Sequence, residues 1–200
     1  MRVTPELLLE AYAAGVFPMA ESATSRKLRW IEPHERGIIP LDGLRVSRSL
    51  RRAVRNGGFE VAVDRDFAGT MRACAAPAPG REDTWINEEI HRAYNELHAR
   101  GHAHSVECRI AGELVGGLYG VYVKGVFSGE SMFHLEPNTS KIALVEMILK
   151  LKGLGLHWMD IQMLTPVTEL LGGHYVSRRD FLQRLREEHR KSPSLKLTLK

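Results

Sequence analysis

Apolar and polar residues alternate from His102 to Ile110, the period-two pattern of a strand. An Ala111-Gly112 turn leads to the next predicted strand, Glu113 to Val123, loosened by Gly116, Gly117 and Gly120. The pair Lys124-Gly125 turns the chain again, into Val126-Phe127. Three runs joined by short turns predict an antiparallel meander. The period then changes. Leu144, Met147 and Leu151 share one face of a helix predicted from about Lys141 to Lys152, with Asn138, Thr139 and Ser140 as cap oxygens and Gly153 and Gly155 as its stop. Leu156 to Met163 returns to strand and places Asp160 and Gln162 on one side. This order predicts a mixed α/β sheet of the acyltransferase kind.

Upstream, Thr4 caps a helix that begins at Pro5 and ends at Gly15, with Leu7, Leu8, Ala11 and Tyr12 at helical spacing. Val16 to Met19 reads as extended, residues 20–28 as a polar loop, and Trp30-Ile31 and Arg36 to Leu41 as extended pieces around Pro33. Helices are predicted over Ser47–Asn56, Asp66–Ala75 and Asn87 to about Ala99, with a strand at Phe59–Val63. Pro77, Pro79 and Gly80 break the second helix, and Ser177 with Asp180 opens a last one running to about Arg190. The tail after Ser192 reads as loose. The expected division is a small N-terminal domain, residues 1–46, and a larger catalytic domain, residues 47–200.

Composition sets the class. A chain of 200 residues can bury a core without staples. Its two cysteines, Cys74 and Cys108, lack CxxC spacing, which fits a reducing compartment and a cytoplasmic protein. No apolar run approaches the roughly 18–20 residues of a membrane span, and Glu6 and Glu10 break the N-terminus as a signal sequence. The net charge of +4 is uneven, with nine Lys or Arg against three acidic residues between Arg26 and Arg55. A helix would align Arg45, Arg48, Arg52 and Arg55 on one face. That stripe is either a solvated surface or a phosphate-contacting one.

Candidate chemistry centres on Gly125 to Lys141. Glu130 stands between the apolar pairs Val126-Phe127 and Met132-Phe133, so it is a solvated edge residue, a partnered buried one, or a group facing a cleft. Gly129 beside it admits a close approach of ligand or backbone. His102, His104 and Cys108 share a strand face, but alternate strand positions do not converge on zinc, and no metal or cofactor is expected. The chain has no Walker loop and no GxSxG elbow, and no His is placed to activate Ser131. Glu130, Asp160 and Gln162 with Trp30, Trp85, Phe127 and Met132 describe either ordinary core or a site holding an amine beside an apolar pocket.

Ordered motifs run through nearly the whole chain: Leu8-Leu9-x-Ala11-Tyr12-x-x-Gly15-x-Phe17-Pro18, Trp30-x-x-Pro33-x-x-Arg36, Thr84-Trp85-Ile86, Gly101 to Glu107, Leu114 to Val121, Gly129 to Phe133, Asn138-x-Ser140-Lys141 and Asp160-x-Gln162. In these the chain resembles the bacterial leucyl/phenylalanyl-tRNA–protein transferases. The resemblance implies a small N-terminal domain before an acetyltransferase-like domain that uses no coenzyme A. It implies transfer of Leu or Phe, and less readily Met, from tRNA to proteins beginning with Arg or Lys, which marks them for degradation. It also implies a monomer. By the same resemblance, Trp30, Trp85, Phe127, Leu118, Met132, Leu144, Met147 and Met159 form the aminoacyl pocket. Glu130 holds polar substrate atoms, Asp160 and Gln162 act at the reacting centre, and the Arg45–Arg55 stripe meets tRNA phosphates. Val167 and Leu170 stand where the family usually has His and Ser, and Thr139 and His134 replace its usual Ala and Ser.

Two other readings make distinct demands. An acetyl-coenzyme A N-acyltransferase needs a Gly-rich pyrophosphate loop before the Lys141 helix, and Glu136 to Ser140 offers none. An RNA-binding module without activity would leave Glu130, Asp160 and Gln162 dispensable.

Overall fold

The computed structural model describes residues 3–78, 82–191 and 197–199. Helix α1 (Pro5–Ala13) opens at Thr4, whose hydroxyl accepts from the Leu7 amide, and buries Leu8 and Tyr12. A two-stranded sheet follows, β1 (Phe17–Ala20) against β2 (Leu28–Ile31). Next come β3 (Glu35–Pro40), α2 (Arg48–Asn56), β4 (Glu60–Val63), α3 (Phe67–Ala75) and α4 (Glu88–Ala99). The meander is present as β5 (Ala103–Ile110), β6 (Glu113–Val123) and β7 (Val126–His134). The chain continues through α5 (Thr139–Gly153), β8 (Trp158–Gln162), α6 (Pro166–Leu170), β9 (His174–Ser177) and α7 (Arg178–Lys191).

Seven strands form one mixed sheet in the order β4-β5-β6-β7-β8-β3-β9. Every neighbouring pair is antiparallel except β7 and β8. The expected boundary at residue 46 falls after β3, a strand seated between β8 and β9 of this sheet. Alternation along β6 feeds two cores. Leu118 turns with Phe127 and Met159 toward Leu144, Met147 and Leu151 of α5. Tyr119 and Val121 turn toward Leu8 and Tyr12 of α1, Met71 of α3 and Tyr94 of α4. Burying each such side chain contributes about 1.5–3 kcal/mol.

Several expectations need correcting. The final residues are not loose where described: Leu197 and Leu199 are buried in the α5-side core, while residues 192–196 and 200, like Pro79 and Gly80, lie outside the described residues. Helix α6 and strand β9 escaped the pattern because five and four residues are too few to display a period. Asn138 enters α5 with a left-handed φ of 70° and makes no side-chain cap bond. Thr139 instead turns its hydroxyl to the carbonyls of Val115 and Glu136.

Two irregularities matter for function. Tyr119 faces Ser131 and Gly120 faces Gly129, which leaves Glu130 as an extra, bulged residue in β7. Gly37 faces Gln162 and Ile38 faces Asp160, which bulges β8 at Ile161. Between them β7 and β8 pair only at Phe127–Met159 and Ser128–Asp160, and the sheet is split beyond.

Candidate functional site

The split opens into a cavity of about 270 Å³. Leu118, Met132, Leu144 and Met159 line it, with Ile161, Met163, Thr165 and Thr168, while Glu130 and Gly129 form its floor at the sheet. Thr165 and Thr168 spend their hydroxyls on each other and on the α6 backbone, so the lining stays mainly apolar. A Cβ at Gly129 would fall 2.5 Å from the terminal methyl of Met159 in the cavity wall, so a larger residue there would push that flexible side chain aside.

At the floor, the Gln162 carboxamide donates to Glu130 Oε1 at 2.6 Å. Gln162 is held with φ at 56°, a left-handed conformation that a non-glycine residue keeps only when its surroundings impose it. This departs from the simple strand alternation expected for Asp160 and Gln162. On the far side of the carboxylate, Tyr94 points its hydroxyl at Glu130 Oε2 at 3.5 Å and hydrogen-bonds to Tyr12. Burial, supplemented by the negative charge of Asp160, pushes the Glu130 carboxyl up to about 7, against the Tyr12 and Gln162 hydrogen bonds that favour its ionised form.

Asp160 is built differently. Arg36 grips it with two bonds, Nε to Oδ1 and Nη2 to Oδ2, both 2.8 Å. Ser128 donates to Oδ2 at 2.8 Å and the Gln162 amide to Oδ1 at 3.0 Å. Four donors engage its lone pairs, and the pair is sealed, with Arg36 2% and Asp160 1% exposed. Arg36 also donates to the Gly15 carbonyl and lies over the rings of Phe17 and Phe181.

Not every expected pocket residue lines the cavity. Phe127 and Met147 are wholly buried in the core behind it. Trp30, 37% exposed, borders a separate groove with Leu7 and Arg26. Trp85 is half-buried against the core on the α1 side. Arg45, Arg48, Arg52 and Arg55 are exposed around α2, and among the described residues no carboxylate pairs with them. Val167 packs partly buried on the α5-side core, and Leu170 is exposed. His104 bonds through Nδ1 to Asp64 at 2.7 Å, and Glu107 accepts from the Arg65 and Asp66 amides, so this motif braces the β4–α3 connection. Among the described residues no three His, Cys, Asp or Glu side chains converge as a metal would need.

Sequence reasoning assigned no role to Arg36, Ser128, Tyr12 or Tyr94. The signal for Arg36 was an arginine heading the apolar run Gly37-Ile38-Ile39, and Tyr12 stood in a quoted motif, but their partners lie 124 and 82 residues away. Ile161, Met163, Thr165 and Thr168 were missed because the bulge and α6 turn them into the cavity.

The mainly apolar cavity in the split of the mixed α/β sheet, bordered by Glu130, has the character of a site for an apolar group beside a carboxyl. Residues 38–186 match the leucyl/phenylalanyl-tRNA protein transferase family, and residues 1–34 match that family's N-terminal domain. The chain belongs to this family: it is an enzyme that transfers an aminoacyl group from tRNA to protein. It is 51% identical to the leucyl/phenylalanyl-tRNA–protein transferase of Cereibacter sphaeroides over 185 residues, 92% of this chain and 85% of that one. The Maricaulis maris and Rhizorhabdus wittichii enzymes are each 49% identical, across 91% and 90% of this chain and 84% and 73% of theirs. Solved structures are more distant. L-PGS from Bacillus licheniformis gives a TM-score of 0.47 at 16% identity over 79% of this chain and 58% of that one. A GCN5-related N-acetyltransferase-like protein from Streptococcus suis gives 0.40 at 18% over 86% and 64%.

Proposed function

We propose that the cavity receives the leucyl or phenylalanyl side chain, and less readily methionyl, and that Glu130 accepts the proton in transfer to a protein beginning with Arg or Lys. The α-amino group attacks the ester carbonyl, an amide forms and the ester bond to the tRNA ribose breaks. The proton lost by nitrogen passes to Glu130, and the ribose hydroxyl leaves with a proton. The observation that carries this reading is the contrast in free lone pairs: Glu130 borders the cavity with capacity to spare, whereas Asp160 already meets four donors. A base near 7 matches an amine whose free value is roughly 7.7–8.0. The ester is already activated, so positioning supplies much of the remaining acceleration.

The pocket proper is Leu118, Met132, Leu144 and Met159, completed by Ile161 and Met163 and backed by Phe127 and Met147. Three thioethers suit it to side chains of different shape. The negative charge of Glu130 favours a cationic acceptor terminus. Arg45, Arg48, Arg52 and Arg55 meet tRNA phosphates, and an Arg48→Glu/Arg52→Glu change lowers the log–log salt slope of tRNA binding by about 1–2. The product enters protein degradation, and the enzyme works as a cytoplasmic monomer. No described helix is long and apolar enough to cross a membrane. The test is transfer of labelled leucine from leucyl-tRNA to peptides starting with Arg or Ala. Labelling of the Arg peptide alone is expected, and equal labelling of both would overturn the acceptor rule.

A further inference from the structure

We propose that Arg36 is a positioning residue of the transfer reaction: its guanidinium locks Asp160, and through Asp160 the Gln162 carboxamide against Glu130, and ties this assembly to the N-terminal unit and to α7. The inference rests on the roles given above to Gln162 and Glu130.

Every face of the guanidinium is occupied. Its edge meets Asp160 twice at 2.8 Å and the Gly15 carbonyl at 3.2 Å. Its plane is flanked by Phe17 of β1 and Phe181 of α7, each centroid 4.7 Å from Cζ. Such a group has one orientation, and only a planar fork fits it; lysine carries the charge without the fork. Asp160, thus fixed, uses its remaining capacity on Ser128 and on the backbone amide of Gln162. That amide bond holds the left-handed turn at Gln162, and the turn aims the carboxamide at Glu130 at 2.6 Å. The linkage Arg36–Asp160–Gln162–Glu130 therefore crosses the split of the sheet.

Charge adds a second consequence. Facing Glu130 are Tyr12 from α1, Tyr94 from α4, Tyr119 from β6, Asp160 and Gln162 from β8, and Arg36 from β3. Arg36 is the cation of this set. Without it, Asp160 and Glu130 are like charges with no counter-ion, and the Glu130 titration moves up. An Arg36 that merely pinned the core would change stability and neither the folded enzyme's turnover nor this titration.

The test compares the full-length wild type with Arg36→Lys, Arg36→Gln and Phe181→Leu. It reads single-turnover rate against pH, KM for leucyl-tRNA and the Arg peptide, near-UV circular dichroism, and the carbon-13 shift of the Glu130 carboxyl. Arg36→Lys keeps its acid limb and both KM values while the rate falls about 10- to 100-fold. Arg36→Gln moves the acid limb and the carboxyl titration upward by about one pH unit. Phe181→Leu, which leaves no unpaired charge, slows turnover about 3- to 10-fold with KM unchanged. Wild-type turnover in folded Arg36→Lys, or an unmoved Glu130 titration in Arg36→Gln, overturns the proposal. Should Arg36→Gln not fold, Arg36→Lys decides, and a wild-type rate in it refutes the proposal. A wild type that transfers nothing defeats the functional reading instead, and the carboxyl shift then judges Arg36 by itself.

Discussion

Asp160 and Glu130 flank the same split in the sheet, and their surroundings are opposites. Asp160 meets four donors, one of them a buried guanidinium that holds it twice. Glu130 borders the cavity, receives one short amide bond from Gln162, and has the hydroxyls of Tyr12 and Tyr94 beside it. Burial pushes Glu130 up to about 7, with the charge of Asp160 adding to it and the Tyr12 and Gln162 hydrogen bonds and the Arg36 charge opposing it. The role of each carboxylate follows from how many of its lone pairs are engaged and how far it is desolvated. One side of the split is locked by its partners, and the other borders the cavity with a carboxyl raised to about 7.

Removing Asp160 attacks the fixed side and carries the largest effect. A residue acting only at the reacting centre, the role the resemblance implied for Asp160, could be replaced by Ala at a cost to activity and not to the fold. With Arg36 sealed against it, the substitution instead strands a buried cation, a change that costs about 3–5 kcal/mol. At about 2–4 °C per kcal/mol for a chain of this size, thermal unfolding shifts down by roughly 6–20 °C. A calorimetric Tm equal to wild type would break the contrast, since Asp160 would then be as replaceable as a solvent-facing group.

Glu130→Gln addresses the titrating side. The shape survives and the base does not, so kcat falls about 10²- to 10⁴-fold with the fold retained. The pH dependence has a definite sign. Glu130 must be ionised to accept a proton, so wild-type transfer is present above about pH 7 and lost as pH falls through it. Stability runs the other way. A carboxyl raised on folding stabilises the protein below its ordinary value of about 4.5, and that contribution is lost as pH rises through 7. The Gln variant escapes the loss, so its Tm exceeds wild type at pH 8 and not at pH 5. Parallel pH–rate and pH–Tm profiles check both statements.

Periodicity carried the frame of the molecule. The long strands Ala103–Ile110 and Glu113–Val123 were legible between their turns, although the structure buries both of their faces almost throughout and not one face only. The types of several residues around the cavity were legible: Glu130 borders it with Leu118, Met132, Leu144 and Met159, and Gln162 bonds to Glu130. Their division of labour was not. It depends on a one-residue bulge at Glu130, a second at Ile161 and an arginine from β3, none of which leaves a periodic trace. Trp30 and Trp85 illustrate the converse, since aromatic character suggested the pocket and neither is part of its lining.

The smallest effect sharpens the contrast from the cavity side. Leu144 lies on α5, is 3% exposed and borders the cavity across from the sheet floor. Its helix is anchored in the core through Met147 and Leu151, so a larger residue there grows into the cavity and cannot back away. Leu144→Phe should therefore penalise phenylalanine more than leucine. Differences of a methylene are worth roughly 1–3 kcal/mol in such pockets, and the flexible Met132, Met159 and Met163 absorb part of the strain. The expected outcome is a drop of about tenfold in the Phe-to-Leu ratio of kcat/KM, with the acid limb of the pH profile unmoved. An unchanged ratio would mean that the acyl side chain lies elsewhere, and Glu130 would then be a titrating group with no substrate beside it. A changed ratio accompanied by a shifted acid limb would mean that the cavity wall and Glu130 are one mechanical unit, and the line between fixed and titrating regions would have to be redrawn at α5.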